Sequence, residues 1–325
     1  MVFRRSFLVG LAALGLAAAS APAAQAQAWP ARPITIIVPW GAGGGTDAHM
    51  RLLASMLEKD LGVAVNVVNQ TGGNGVTGHS AIANAAPDGY TFGAVTAEIT
   101  MMHHTGLTKL TWRDYTPVSV LNRTEAGFIV AKNNPWKDLQ TALAAIKANP
   151  GKFKASGTAQ GGIWHIAVAG LLMEAGQDVK NVNWIPSQGA ARAMQELLAG
   201  GVDIVTASPG EAVAMLDAGE ARALAVMGPE RNPRFKDVAT VKEQGVNWEM
   251  TSFITLQGPK GVDPAIVRRL DELVKKALSS RDWQSFASSR GFTINYGGPA
   301  ELQAMQERLD KYMGVVMGAL GLRQG

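Results

Sequence analysis

Short apolar, β-branched runs alternate with stretches of helical periodicity along most of this chain. Ile34–Val38 (ITIIV) reads as a buried strand, and residues 48–61 place apolar side chains at helical spacing. Between them lies Pro39-Trp40-Gly41-Ala42-Gly43-Gly44-Gly45-Thr46-Asp47, a glycine loop that turns strand into helix. Thr46 and Asp47 are both N-cap residue types. The pattern then repeats: residues 63–68 as a strand, 69–75 as a second glycine-rich turn, 76–86 as a helix and 90–96 as a third strand, entered through Pro87-Asp88-Gly89. Such β-α-β-α-β alternation predicts a parallel sheet with right-handed crossovers. Ligands of these sheets bind beyond the strand C-termini, where both glycine loops and Glu98 fall.

Residues 118–121 and 128–131 are strand-like and are joined by Asn122-Arg123-Thr124-Glu125, and 138–148 reads as a helix capped by Asp138. The opening pattern then returns. Phe153–Ser156 is a strand, 157–162 a glycine loop and 163–175 an apolar helix. Strands at 182–185 and 203–206 each lead through a small-residue loop, 186–191 and 207–210, into another helix, and 221–227 closes the series. Residues 251–256 form one more strand, broken by 258–261; helices follow at 264–278, 283–289 and 299–320, with one short strand at 292–295. Three helices and one strand are poor material for a third domain, so they are expected to return to the first. The fold class is α/β, a two-lobed clamshell with two crossover connections. Residues 29–122 plus 251–325 form one lobe and 123–250 the other, and the strand ends of both face one cleft.

The first glycine loop carries chemistry. A helix start offers free N–H groups and the positive end of a dipole, and glycines let an anion come close. The loop has no Lys, Arg or His, which points to an anion held by amides and hydroxyls. Other readings compete. A dinucleotide site wants G-x-G-x-x-G, but Thr46 stands where the third glycine belongs, and residues 63–70 end without an acidic residue for a ribose. A P-loop needs Gly-Lys-Ser/Thr, which is absent. A plain strand-to-helix turn also fits the local sequence.

Arg4 and Arg5, the apolar run behind them and the small-x-small triplets 24–26 and 26–28 read as a secretory signal, 1–28, by a Sec or twin-arginine route. Removing it leaves roughly 300 residues, a length that usually means two domains. Two of the net +4 charges leave with it, and the balance does not suggest nucleic acid. The chain has no cysteine, which excludes disulfides and thiolate chemistry. His49, His79, His103, His104 and His165 show no metal-ligand spacing, and the adjacent His103 and His104 are expected to diverge. There is no G-x-S-x-G elbow. No metal, no cofactor and no catalytic group is therefore expected.

The ordered motifs P-W-G-A-G-G-G-T-D, N-Q-T-G-G-N-G-V-T-G, A-A-P-D-G-Y-T-F, A-N-P-G-K-F-K-A-S-G-T, W-I-P-S-Q-G-A-A and L-L-A-G-G-V-D-I-V closely resemble the Bug receptors, solute-binding proteins of tripartite tricarboxylate transporters. The resemblance spans nearly the whole chain after residue 28. It implies a Venus flytrap that closes on a small organic carboxylate, held by loop amides, hydroxyls and waters. It also implies a periplasmic, monomeric protein that serves membrane permease subunits. A sensory receptor serving a membrane kinase, or an exported α/β enzyme acting on an anion, are the rival readings. Carried over by position, the contacts fall on Gly43, Gly44, Thr46 and Asp47 in the first lobe, with Asp47 orienting the loop. In the second lobe they fall on Ser156, Gly157, Thr158, Gly161, Ser187, Gly189 and Ala190. Trp40, Glu98, His165 and Ser208 are further candidates at the strand ends: Trp40 to stack on a ligand or pack under its loop, Glu98 to accept from a ligand hydroxyl or amine. Arg192 is expected to point to solvent unless the ligand carries a distal carboxylate.

Overall fold

A computed structural model of the chain describes residues 29–324. The expected signal segment, 1–28, lies outside these residues. The first run of elements is β1 (Ile34–Val38), α1 (Gly45–Leu61), β2 (Val65–Asn69), α2 (Val76–Ala83), β3 (Thr91–Thr96) and β4 (Tyr115–Glu125). The second is β5 (Gly127–Ala131), α3 (Leu139–Ala148), β6 (Phe153–Ser156), α4 (Ile163–Glu174), β7 (Val182–Trp184), α5 (Ala190–Leu198), β8 (Ile204–Ala207), α6 (Val213–Asp217) and β9 (Ala221–Val226). The chain ends with β10 (Thr251–Pro259), α7 (Pro264–Leu278), α8 (Arg281–Arg290), β11 (Thr293–Gly297) and α9 (Pro299–Ala319).

Two sheets result. The six-stranded sheet runs β11-β4-β10-β3-β1-β2 and the five-stranded sheet β7-β6-β8-β5-β9. β1 lies parallel to β2 and β3, with Ile36 opposite both Val67 and Phe92, as the opening alternation predicts. The late strand β10 enters antiparallel between β3 and β4. In the second sheet β6 is parallel to β7 and β8, and β5 is antiparallel to β8 and β9.

Two expected boundaries move. Residues 122–125 are not a connecting loop but the end of β4, because Asn122 to Glu125 stay paired with β10. Residues 258 and 259 likewise remain in β10, opposite Thr116 and Tyr115. The step from β4 to β5 is thus the single residue Ala126, whose N–H donates to the Met250 carbonyl (2.9 Å) and whose carbonyl accepts from Met227 (2.7 Å). The second crossing, at Met250, is tied alongside by Met250 N–H to the Met227 carbonyl (2.8 Å).

Helices form where capping and apolar spacing coincide. Met50, Leu53, Ala54 and Leu57 bury one stripe of α1. Asp138 and Thr141 close a reciprocal capping box on α3. Asp263 caps α7 in front of Pro264. One core, around Ile36, Leu53, Phe92, Leu121 and Trp283, takes in α7, α8 and β11. A second, around Phe128, Trp164 and Leu172, also holds Met305, Met313 and Met317 of α9. The last helix lies against β4 and β11 of the first sheet, and its methionines join a buried cluster that runs from Met101, Val120 and Phe253 to Phe128 and Trp164.

Candidate functional site

The C-terminal ends of β1, β3, β6, β7 and β8 converge on a cavity of about 170 Å³ between the sheets. The facing loops touch: Gly41 N–H donates to the Gln188 carbonyl at 3.1 Å. The backbone of Gly189 has φ +147°, which an L side chain rarely adopts, and this lets the loop turn into α5 beside Trp40 and Gly41.

The first loop is braced from inside its own helix. The residue at the α1 N-cap is Gly44; Thr46 and Asp47 are buried within the first turn rather than capping it. Asp47 reaches back to accept from Gly43 N–H (3.0 Å), Asn69 Nδ2 (2.9 Å) and Arg51 Nε (3.0 Å). Burial opposes its charge, but the bonds from Arg51, Gly43 and Asn69 outweigh it and hold the carboxyl below its ordinary range. Asp47 thus orients the loop and does not line the cavity.

Of the other expected site residues, Trp40, Gly44, Thr46, Glu98, Thr158, Gly189, Ala190 and Ser208 line the cavity. Gly43, Ser156, Gly157, Gly161, His165 and Ser187 do not, and each has a structural occupation instead. Gly43 N–H is spent on Asp47. Ser156 Oγ donates to the Ile185 carbonyl (2.7 Å). At Gly157 a Cβ would stand 2.3 Å from the Thr206 carbonyl, so the residue serves close strand approach. Ser187 Oγ donates to the Gly189 carbonyl (3.0 Å). Gly161 N–H donates to His165 Nδ1 (2.9 Å), and the His165 ring lies on Trp184. Trp40 packs under its loop, its indole N–H donating to Thr96 Oγ1 (3.1 Å). Arg192 sits at the cavity mouth, exposed and ion-paired with Glu196.

Three histidines share one device, missed when they were weighed only as ligands. Each follows a loop glycine by four residues. His49 Nδ1 meets the Gly45 carbonyl at 2.7 Å and His79 Nδ1 the Gly75 carbonyl at 2.8 Å, so Nδ1 carries the proton. His165 uses the opposite tautomer toward Gly161. The repeated G-x-x-x-H spacing is the signal that would have revealed this. His103 and His104 do not diverge: they lie in an irregular turn, where their Nε2 atoms stand 2.9 and 3.3 Å from Asp310 Oδ1 on α9. Their three ligand-type atoms lie within 4.8 Å of one another, away from the cavity.

Sequence reasoning also missed Glu211, Thr124, Asn122, Ser252 and Phe292, all of which line the cavity. Asn122 and Thr124 come from β4, Ser252 from β10, Phe292 from just before β11, and Glu211 from the segment after β8. Glu98 accepts from Thr96 Oγ1 (2.5 Å). Glu211 accepts from the Ser208 N–H (3.1 Å) and Oγ (3.0 Å) and packs against Gly45 at the start of α1. Burial pushes both carboxyls above the ordinary carboxylate range, and Glu98 adds to the rise at Glu211. By contrast, the first N–H groups of α5, on Ala190, Ala191 and Arg192, have no acceptor among the described residues. Beside them Thr158 Oγ1, and further in Thr124 Oγ1, are buried without a hydrogen-bond partner.

A family description, tripartite tricarboxylate transporter family receptor, matches residues 49–322. An UPF0065 protein of Cupriavidus necator is 35% identical over 286 residues, covering 87% of this chain and 85% of the relative. Among solved structures, Rpa4515 of R. palustris with adipate is 27% identical at a TM-score of 0.84, covering 90% of this chain and 98% of that one. MatC of Rhodopseudomonas palustris with bound malate is 25% identical at a TM-score of 0.83, covering 89% and 99%. With a match of that length joined to this paired-sheet fold, the chain belongs to the receptor family of the tripartite tricarboxylate transporters.

Proposed function

We propose that this chain is a periplasmic receptor that closes two lobes, one on each sheet, around a small organic carboxylate and presents it to the membrane subunits of a tripartite transporter. Residues 1–28 act as its export signal. The observation that carries the reading is the start of α5: three amide N–H groups and the orphaned Thr158 hydroxyl face one cavity. Buried polar groups are nearly always paired, so unpaired donors at a helix N-terminus await an acceptor. The solved relatives with malate and adipate support a carboxylate as that acceptor. Hydrogen bonds to a charged group contribute about 1.5–3 kcal/mol each, enough for a few to exceed the cost of immobilising a small ligand. No step of bond making is assigned to the site; ligand bridging both lobes shifts the population toward the closed form.

Calorimetry on the purified chain with mono- and dicarboxylates tests this. At least one should bind without being consumed, and Thr158→Val should weaken it by about tenfold or more. Affinity unchanged in Thr158→Val, or turnover of the ligand, would sink the reading.

A further inference from the structure

The cavity has two chemically opposite ends. At one, the N–H groups of Ala190, Ala191 and Arg192 and the Thr158 hydroxyl offer donors without acceptors. At the other, two side-chain carboxyls of the protein line the cavity. Glu211, from the segment after β8, stands against Gly45 at the start of α1. Glu98, from the end of β3, accepts from Thr96 Oγ1. Gly45 makes room for Glu211: a Cβ there would stand 2.8 Å from Glu211 Cγ. A ligand anion placed at the start of α1 would share it with a side-chain carboxyl. The one cation on the lining, Arg192, stands at the α5 end and is exposed.

Resting on the carboxylate reading above, we propose that Glu98 and Glu211 are specificity-determining residues, which select a carboxylate bearing an ammonium or amide N–H at its far end and reject one bearing a second carboxylate. A ligand ammonium entering between α5 and the two glutamates finds carboxyl acceptors in a water-poor cavity, and its charge favours their ionised form. A second carboxylate placed there meets like charge, which is costly at close range in a low-dielectric site.

The test compares ligands of matched length by calorimetry on the full chain: 4-aminobutyrate against glutarate, and 6-aminohexanoate against adipate. The wild type should bind the amino acid of a pair at least about tenfold tighter than the diacid. Glu98→Gln with Glu211→Gln keeps shape and an acceptor oxygen at each position, and should erase or invert that ratio. A diacid bound more tightly by the wild type, with or without proton uptake, overturns the proposal but leaves the carboxylate reading standing. So does a ratio that the double variant does not move. If no carboxylate of any kind binds, both fall.

Discussion

Acid should unfold this protein through two neutral histidines. His49 is fully buried, its Nδ1–H on the Gly45 carbonyl and its Nε2 facing the side-chain amide of Asn122 at 3.1 Å. Trp283, Phe286 and Phe292 surround the ring. A proton on Nε2 would point at an N–H₂ group inside an aromatic shell. His79 repeats the arrangement, its Nε2 accepting from Thr96 N–H at 3.3 Å. Burial drives each imidazole from 6.5 down to about 4, with Arg290 adding to the effect at His49. Between those values the unfolded chain holds protons that the native state refuses. Stability is therefore full above pH 6.5 and falls as pH drops toward 4. At about 1.4 kcal/mol per unit, each histidine contributes a loss of order 3 kcal/mol over the window. Two together approach the whole stability of a typical domain, roughly 5–15 kcal/mol. Glu98 and Glu211 act in the opposite sense: with raised native values the fold takes up their protons ahead of the unfolded chain at pH above the ordinary 4.5, so they blunt the fall there and add nothing below it. Urea denaturation at steps from about pH 7.5 to 4.5 would read the slope. His49→Gln should cost stability at neutral pH but flatten the acid limb. A wild-type midpoint that stays constant from pH 7 to 5 refutes the reasoning.

Three further outcomes follow from the packing and the loop. Gly170→Ala sets a methyl 2.1 Å from the Trp248 ring, which is itself tied to the Ala167 carbonyl; urea unfolding should show a loss of about 1–3 kcal/mol, and an unchanged midpoint would contradict the close contact. Asp47→Ala leaves Gly43 N–H and Asn69 without their acceptor, so calorimetry should find carboxylate affinity down by about tenfold through a loosened loop. Arg192→Ala should weaken a monocarboxylate by no more than about threefold, because the guanidinium is exposed and shared with Glu196; complete loss of binding would make the site an arginine clamp instead.

Much of the fold can be read from residues alone because its signals are local. ITIIV before a glycine loop, Asp138 with Thr141, and Pro264 behind Asp263 each state an element boundary within a few positions. The length of β4 was not legible: Asn122 to Glu125 are polar, and only pairing with β10, more than a hundred residues later, holds them extended. At the site, the motif picked out loops that line the cavity but not which side chains turn inward. Ser156, Ser187 and Asp47 carry the right chemistry and spend it on neighbouring backbone. Glu211 looks like an ordinary helix-start acid until β8 delivers it to Gly45.

The junction at Ala126, Met227 and Met250 has a mechanical consequence. Two neighbouring chain crossings, at Ala126 and at Met250, laced through Met227 by backbone hydrogen bonds, leave little that can stretch or slide. They can only flex about a common line. Whatever molecule fills the cavity is converted at the rim into one number, the angle between two rigid plates. Under the proposed function, a permease docking on the outer surface would be told how far the jaws have swung and nothing about what lies between them. Discrimination among solutes then has to be finished inside the cavity, before any membrane subunit is involved.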